Sequence, residues 1–307
     1  MPRFVQFTEY GDVDRLEVIE VEKPGPAAGE VRVRMTAAGL NPVDFKLREG
    51  GPAAAAFGVM LPSGNGNDFA GVVDAVGEGV TQWTVGQRVF GARRFYAQAD
   101  YVIVGPEHEL HATPDALPDE VAGTLAIAGR TAQASVRAVG VSSGETVLVS
   151  AAAGGVGILA CQVARLRGAT VIGTASPSNH EFLRTIGVIP VAYGEGLVER
   201  VRELAPQGVD AVLDNAGAET QDAGLALGVN PARINTIADR GYAARIGAQG
   251  VGGADARPDD LVEIAERLAD GSFVLPIARS FPLDDVREAY RLLEGGHVRG
   301  KVVLTTS

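Results

Sequence analysis

The sequence predicts an α/β chain in which a β-rich, glycine-punctuated module leads into a doubly wound parallel sheet. Three observations carry this prediction. Short β-branched runs broken by glycines fill the N-terminal third. From residue 145 onward, apolar strand-like runs alternate with helical stretches at the spacing of βαβ units. Between the first such strand and its helix lies a glycine turn, Ala151-Ala-Ala-Gly-Gly-Val-Gly157. A chain of 307 residues is too long for one ordinary core and fits two domains.

Taken in order, Glu30 to Met35 alternates, with Val31, Val33 and Met35 on one face of a strand. Residues 69–90, FAGVVDAVGEGVTQWTVGQRVF, read as strands between glycine turns, and no long helical period precedes residue 116. A distorted barrel accounts for this module. Pro118, Asp119 and Glu120 suit a helix start. Strands are then expected at 145–151, 169–175, 187–193, 209–215 and 233–239. Helices are expected at 156–166, 180–186, 197–204, 261–269 and 284–293. Residues 240–257, rich in glycine and alanine, read as a mobile or edge segment. The strand-like pieces 272–281 and 301–306 are expected to rejoin the N-terminal module. The division that follows is 1–122 with 262–307 as one domain and 123–261 as the other.

Composition excludes several partners. A net charge of −11 repels nucleic acid. The single cysteine, Cys161, permits no internal disulfide and no cysteine-rich zinc lobe, which points to the reducing cytoplasm. Residues 146–164 carry no charge, close to membrane-span length, but Gly154, Gly155 and Gly157 interrupt them. A strand, a turn and a buried helix explain them better than a membrane span. The start of the chain has no long apolar run of the secretory type.

The glycine turn has the strand–turn–helix context of a dinucleotide fingerprint, in the form A-x-x-G-x-x-G, with Ala152 at the place of the first glycine. Ala153, Gly154, Gly155, Val156 and Gly157 would bring backbone N–H groups to a pyrophosphate at a helix N-terminus. At the next strand end an NAD site wants an acid for the adenosine ribose. Here Thr174 to His180 contains none. Thr174, Ser176, Ser178, Asn179 and His180 suit a 2′-phosphate instead, so NADPH is the expected cofactor. Ser178 or Asn179 could equally cap the helix that follows.

Beyond the turn, the segments AAGLNPVDFKLREG (37–50), DFAGVVDAVGEGV (68–80), VGQRVFG (85–91) and AGRTA (128–132) occur in order along the chain. Together with AAAGGVG they resemble the medium-chain dehydrogenase/reductase superfamily, and within it the zinc-free quinone oxidoreductase branch. The resemblance implies a GroES-like catalytic domain and a Rossmann domain inserted before its last strands. It also implies a homodimer, and a cleft between the domains where nicotinamide meets a small-molecule substrate.

The resemblance also assigns residues. Zinc alcohol dehydrogenases of the superfamily carry Cys where this chain has Asn41, and His-Glu where it has Asn67-Asp68, so no metal is expected. Asn41 and Asp44 would lie near nicotinamide and substrate. Lys46 stands where quinone reductases often have Tyr, and Phe45-Lys46 resembles the enone and alkenal reductases. The alternative is that Asn-Pro-Val-Asp is a turn, with Asp44 and Lys46 on the surface. Thr131 matches a threonine near the nicotinamide, and Tyr193 a tyrosine at the adenosine end. Asn215, Ile237 and Ala238 end strands on the ligand-binding edge of the sheet. Lys301, beside Gly300 and Val302, matches a stretch approaching the nicotinamide.

The implied activity is two-electron reduction of a quinone or an α,β-unsaturated carbonyl compound. The Asn41 amide, the Lys46 ammonium, the nicotinamide ribose hydroxyl or water would stabilise the developing oxygen charge. The alternatives are an NADPH-binding protein without turnover, of sensor or crystallin type, and a zinc alcohol dehydrogenase.

Overall fold

A computed structural model of the chain describes residues 1–306, which divide into two compact units. The first comprises Met1–Ile127, Ala265–Asp270 and the chain from Pro276 onward. The second comprises Ala128–Ile264 and Gly271–Leu275.

In the first unit, β1 (Arg3–Phe7) pairs antiparallel with β2 (Glu17–Glu20). The strand β3 (Val31–Gly39) buries Val31, Val33 and Met35, the face its alternation predicts. Two short helices follow at once, α1 (Pro42–Glu49) and α2 (Gly51–Phe57). Then come β4 (Ser63–Gly64), β5 (Asp68–Val76), β6 (Arg88–Ala92), β7 (Tyr101–Val104), β8 (Leu110–Ala112) and α3 (Asp119–Ala122). The helix α4 (Leu125–Ala138) begins here and continues into the second unit.

The second unit runs β9 (Thr146–Val149), α5 (Gly155–Leu166), β10 (Thr170–Thr174), α6 (His180–Thr185), β11 (Ile189–Val191) and α7 (Leu197–Leu204). It continues with β12 (Ala211–Asp214), α8 (Ala218–Ala226), β13 (Ile234–Thr236), α9 (Arg240–Ile246) and the first half of α10 (Asp260–Ala269). Its five strands are all parallel, in the order β11-β10-β9-β12-β13. The winding reverses at β9: β10 and β11 extend to one side, β12 and β13 to the other. In such sheets the crevice outside the carboxyl ends of the strands flanking the reversal is the ligand-binding place. The stretch 240–257 departs from its expected character. Residues 240–246 form α9, capped by the Asp239 carboxylate accepting from Tyr242 N–H at 2.8 Å. The edge character survives only at Gln249, which bridges Asn235 of β13.

The tail returns to the first unit as β14 (Ile277–Pro282), α11 (Val286–Glu294) and β15 (Lys301–Thr305). β15 pairs antiparallel with β3 and parallel with β14, so the end of the chain completes a seven-stranded sheet. Phe281, Leu283, Tyr290, Val302 and Leu304 join Val33, Met35, Phe69 and Val89 in its core. This return sets Lys301 and Tyr290 beside residues more than two hundred positions earlier.

Candidate active site

In the second unit, β9 ends and the chain turns through Ser150 to Gly154 into α5. Ala151 takes a left-handed conformation, φ 45°, unusual for a residue with a Cβ. Gly157 sits so close to the turn that an added Cβ would overlap the Ala151 carbonyl oxygen. The helix therefore packs against the turn only because this position lacks a side chain. Its first-turn amides, on Gly155, Val156 and Gly157, have no intrahelical acceptor, and Gly154 supplies no side-chain cap. Three uncapped N–H groups at the positive end of a twelve-residue helix fit a pyrophosphate. Ala153 is buried within this turn.

The adjoining strand ends are tied to the same turn. Asn215 donates from its backbone to Ser150 Oγ at 2.8 Å and from its amide to Ser150 O at 2.9 Å. Ser150 Oγ donates to Asp214 at 3.0 Å. The buried Asp214 carboxylate also accepts from Ala216 N–H, Gly217 N–H, Gln221 and Thr236. Sequence reading missed it, since an acid inside an apolar strand end gives no periodic signal. Ile237 and Ala238 follow β13, their N–H groups bound to Asp214 O and Thr236 Oγ1 at 3.0 Å each. Thr131, buried on α4, lies against Gly253.

The end of β10 carries Thr174, whose carbonyl accepts from Ala152 N–H at 2.9 Å. Beyond it, Ser176 Oγ lies 3.0 Å from Ser178 Oγ and accepts from the Asn179 amide at 3.1 Å. Neither Ser176 nor Asn179 caps its helix through the side chain. His180 Nε2 lies 3.1 Å from Ala175 O. Tyr193 is exposed just past β11, its loop held by Arg200 donating to the carbonyls of Ala192, Tyr193 and Gly194.

In the first unit, β3 runs through Asn41 into α1. Asp44 accepts from Asn41 N–H at 2.8 Å while its own N–H donates to Asn41 O at 3.0 Å. The Asn-Pro-Val-Asp run is thus the first turn of a helix, with proline at a position that needs no N–H donor. Asp44 is buried, against the surface alternative, and Lys46 is exposed on the helix. The Asn41 amide donates to Asp68 Oδ2 at 3.0 Å and accepts from Lys301 Nζ at 2.5 Å. Lys301 also donates to Leu40 O at 2.8 Å and stands 3.9 Å from Asp68.

A second layer surrounds Asp44. Asn67 donates to its Oδ1 at 2.5 Å and the Tyr290 hydroxyl to its Oδ2 at 3.1 Å. Tyr290 in turn accepts from Asn65 and Gln98, both at 2.9 Å. All these side chains are buried. Sequence reading treated Asn67 and Asp68 only as lost metal positions and passed over Asn65, Gln98 and Tyr290. The polar run Gly64-Asn-Gly-Asn-Asp68, leading into an apolar strand, was the available signal.

Burial pushes the Asp44 carboxyl up from 3.8 to about 6, and the nearby Asp68 charge adds to this. Hydrogen bonds from Asn41 and Asn67 and the Lys301 charge oppose it. Burial also lowers Lys301 from its usual value, against Asp68 and Asp44. Between pH 3.8 and about 6 the folded state therefore keeps a proton on Asp44 that the unfolded chain has released. Stability from this group is complete below that window and is lost as pH rises through it, by about 3 kcal/mol for two pKa units. Charges facing it are Asp68 and Lys301, with the Tyr290 hydroxyl. From pH 7 to pH 4, denaturant melts should show wild type gaining roughly 2–3 kcal/mol relative to Asp44→Asn, whose amide does not titrate. Parallel stability curves would remove Asp44 from the titration.

A zinc ion does not fit this set. Asn41 and Asn67 are amides already bonded to protein partners, and an ammonium stands against Asn41, where it would repel a dication. Among the described residues no three His, Cys, Asp or Glu side chains are grouped to hold a metal.

A GroES-like sheet unit and a parallel-sheet nucleotide-type unit define a two-domain oxidoreductase. Residues 27–136 match the alcohol dehydrogenase GroES-like domain, and residues 188–304 match the zinc-binding dehydrogenase family. A quinone oxidoreductase of Pseudomonas aeruginosa is 36% identical over 231 residues, covering 73% of this chain and 70% of that protein. The chain belongs to the medium-chain dehydrogenase/reductase superfamily, alongside its quinone oxidoreductases. Among solved structures, Escherichia coli quinone oxidoreductase complexed with NADPH superposes with a TM-score of 0.86 at 26% identity, over the whole of both chains. The CurK enoyl reductase gives 0.86 at 28% identity, covering 100% of this chain and 99% of that one. The chain spans only 47% of the matching Danio rerio synaptic vesicle membrane protein VAT-1 homolog.

Proposed function

We propose that the protein is a zinc-independent, NADPH-dependent oxidoreductase that transfers hydride to a quinone. The observation that carries this reading is the Asn41 amide, buried and bonded to Lys301 and Asp68 in a set that does not suit a metal. The β9–α5 turn would hold the pyrophosphate through the amides of Gly155, Val156 and Gly157. Ser176, Ser178, Asn179 and His180, with no acid among them, favour the 2′-phosphate of NADPH over the free ribose of NADH. Thr131, Asn215, Ile237 and Ala238 would line the nicotinamide side.

The cofactor, when bound, supplies the hydride. The chain's part is to position the substrate and stabilise charge on its oxygen. A quinone that gains a hydride becomes a hydroquinone anion, and one proton from water completes the hydroquinone. Such an acceptor needs a hydrogen-bond donor at oxygen and no dedicated acid, and the Asn41 amide is that donor. The proposal extends to a cytoplasmic homodimer. Cys161 is buried and unpaired, as a reducing compartment allows. No helix among the described residues is long and apolar enough to cross a membrane.

A second reading, reduction of α,β-unsaturated carbonyls, is favoured by Lys46. It is exposed in the last turn of α1 and forms no hydrogen bond or ion pair among the described residues. A free cation of this kind can protonate the carbon left by hydride addition. Lys46→Ala should then slow enone reduction about tenfold, some 1.4 kcal/mol of barrier, and leave quinone reduction unchanged. Steady-state rates with matched quinones and enones check this. Equal enone rates in the two proteins would remove Lys46 from the chemistry.

A further inference from the structure

A side-chain amide has two ends, and rotation about its last torsion exchanges them. Whether an asparagine offers a donor or an acceptor to a ligand therefore depends on what fixes that torsion. At Asn41 two neighbours of opposite character do so. A lysine ammonium has only hydrogens to offer, and an ionised carboxylate only lone pairs. Lys301 Nζ lies 2.5 Å from Asn41 Oδ1, and Asp68 Oδ2 lies 3.0 Å from Asn41 Nδ2. The exchanged amide would set N–H against the ammonium and C=O against the carboxylate. Both charge-assisted bonds would be lost and replaced by repulsion.

The two clamping groups are themselves fixed. Asp68 is fully buried and its other oxygen accepts from Ile127 N–H at 2.9 Å. Lys301 follows Gly300, which has φ 75° and packs so tightly on Pro276 that an added Cβ would overlap its carbonyl oxygen. Lys301 N–H donates to that same carbonyl at 2.9 Å, and its Nζ reaches Leu40 O as well. The clamp is thus built from β15, β5 and the end of β3, three segments that meet only in the finished sheet. It leaves one Nδ2–H of Asn41 without a protein acceptor among the described residues.

We propose that Lys301 and Asp68 are positioning residues that lock the Asn41 amide in one orientation, so that it acts only as a hydrogen-bond donor to the oxygen of a reducible carbonyl. This rests on the reductase reading above. A purely structural ion pair would predict something different: removing both charges together would restore stability and leave turnover intact.

The test compares wild type with Lys301→Met, Asp68→Asn and the double variant, all with NADPH bound. The Asn41 side-chain NH2 resonances, identified by their loss in Asn41→Ala, report the lock directly by 15N NMR. Both single variants should shift that pair and lower kcat for a benzoquinone about tenfold, with KM for NADPH unchanged. The double variant should regain thermal stability while kcat stays low. Lys301→Gln, whose amide can offer either a donor or an acceptor and so no longer fixes the torsion, serves if the methionine variant does not fold. An unshifted Asn41 pair, or full turnover in the double variant, would overturn the proposal. If wild type reduces no quinone, the reductase reading fails, while the NMR shift still decides the lock.

Discussion

Gly157→Ala should weaken NADPH binding more than about tenfold and lower the stability of the protein without ligand by roughly 1–3 kcal/mol. The added Cβ has no space: the Ala151 carbonyl oxygen overlaps it, and Ala151 C and Ala152 Cα would each lie 2.9 Å away. All three are backbone atoms, so relief requires α5 to move away from the turn that its first amides complete. Gly154→Ala is the informative contrast. Its Cβ would meet only the Ala151 carbonyl oxygen, at 3.3 Å, and its φ of −82° suits any residue. Stability should change little, yet a methyl group would stand where a pyrophosphate must approach the backbone. Calorimetric titration with NADPH, beside thermal melts, separates the two. Wild-type affinity in both variants would mean the turn is only a structural joint.

Asn41→Ala should lower kcat for quinone reduction on the order of a hundredfold, the usual effect of losing one donor to a developing oxyanion. NADPH affinity should stay at the wild-type level, because the nucleotide turn lies in the other unit. The cost to stability is moderated by geometry. Without the amide, Lys301 and Asp68 are still only 3.9 Å apart and can pair directly. A fall in kcat with unchanged melting temperature therefore separates the chemistry of Asn41 from its place in the core. A variant with undiminished kcat would leave the proposed site without its donor.

Much of the fold was legible because burial leaves a period in the sequence. The alternation of Val31, Val33 and Met35 and the apolar runs at β9, β10 and β12 each face a core on one or both sides. The β-branched tail around Val302 and Leu304 was legible for the same reason. Two of the missed helices, α1 and α9, bury the wrong kind of residue for this signal. α1 buries Asp44, Leu47 and Arg48, so its inward face is mostly charged. α9 buries only Ala243 and carries a glycine at its second position. Neither shows a hydrophobic stripe.

The site was legible in its local parts and opaque in its long-range ones. The glycine turn and Asn41 announce themselves through residues adjacent in sequence. Gln98 and Tyr290 share a hydrogen bond across 192 positions, and Lys301 reaches Asn41 across 260. Such partners become visible only once the last strand is placed beside β3. Lys301 itself was expected at the cofactor by resemblance. The bonds it makes within the protein are to Leu40 and Asn41.

Metal-free reduction of quinones by NADPH can be followed in a single assay. Protein stripped of metal with a chelator is mixed with NADPH and a panel of benzoquinones and naphthoquinones. Loss of reduced-nicotinamide absorbance is followed, and the run is repeated with NADH. Quinone-dependent oxidation of NADPH is expected at the rate of untreated protein, faster than with NADH. Tight NADPH binding with no oxidation by any quinone, or activity that returns only when zinc is added, would contradict it.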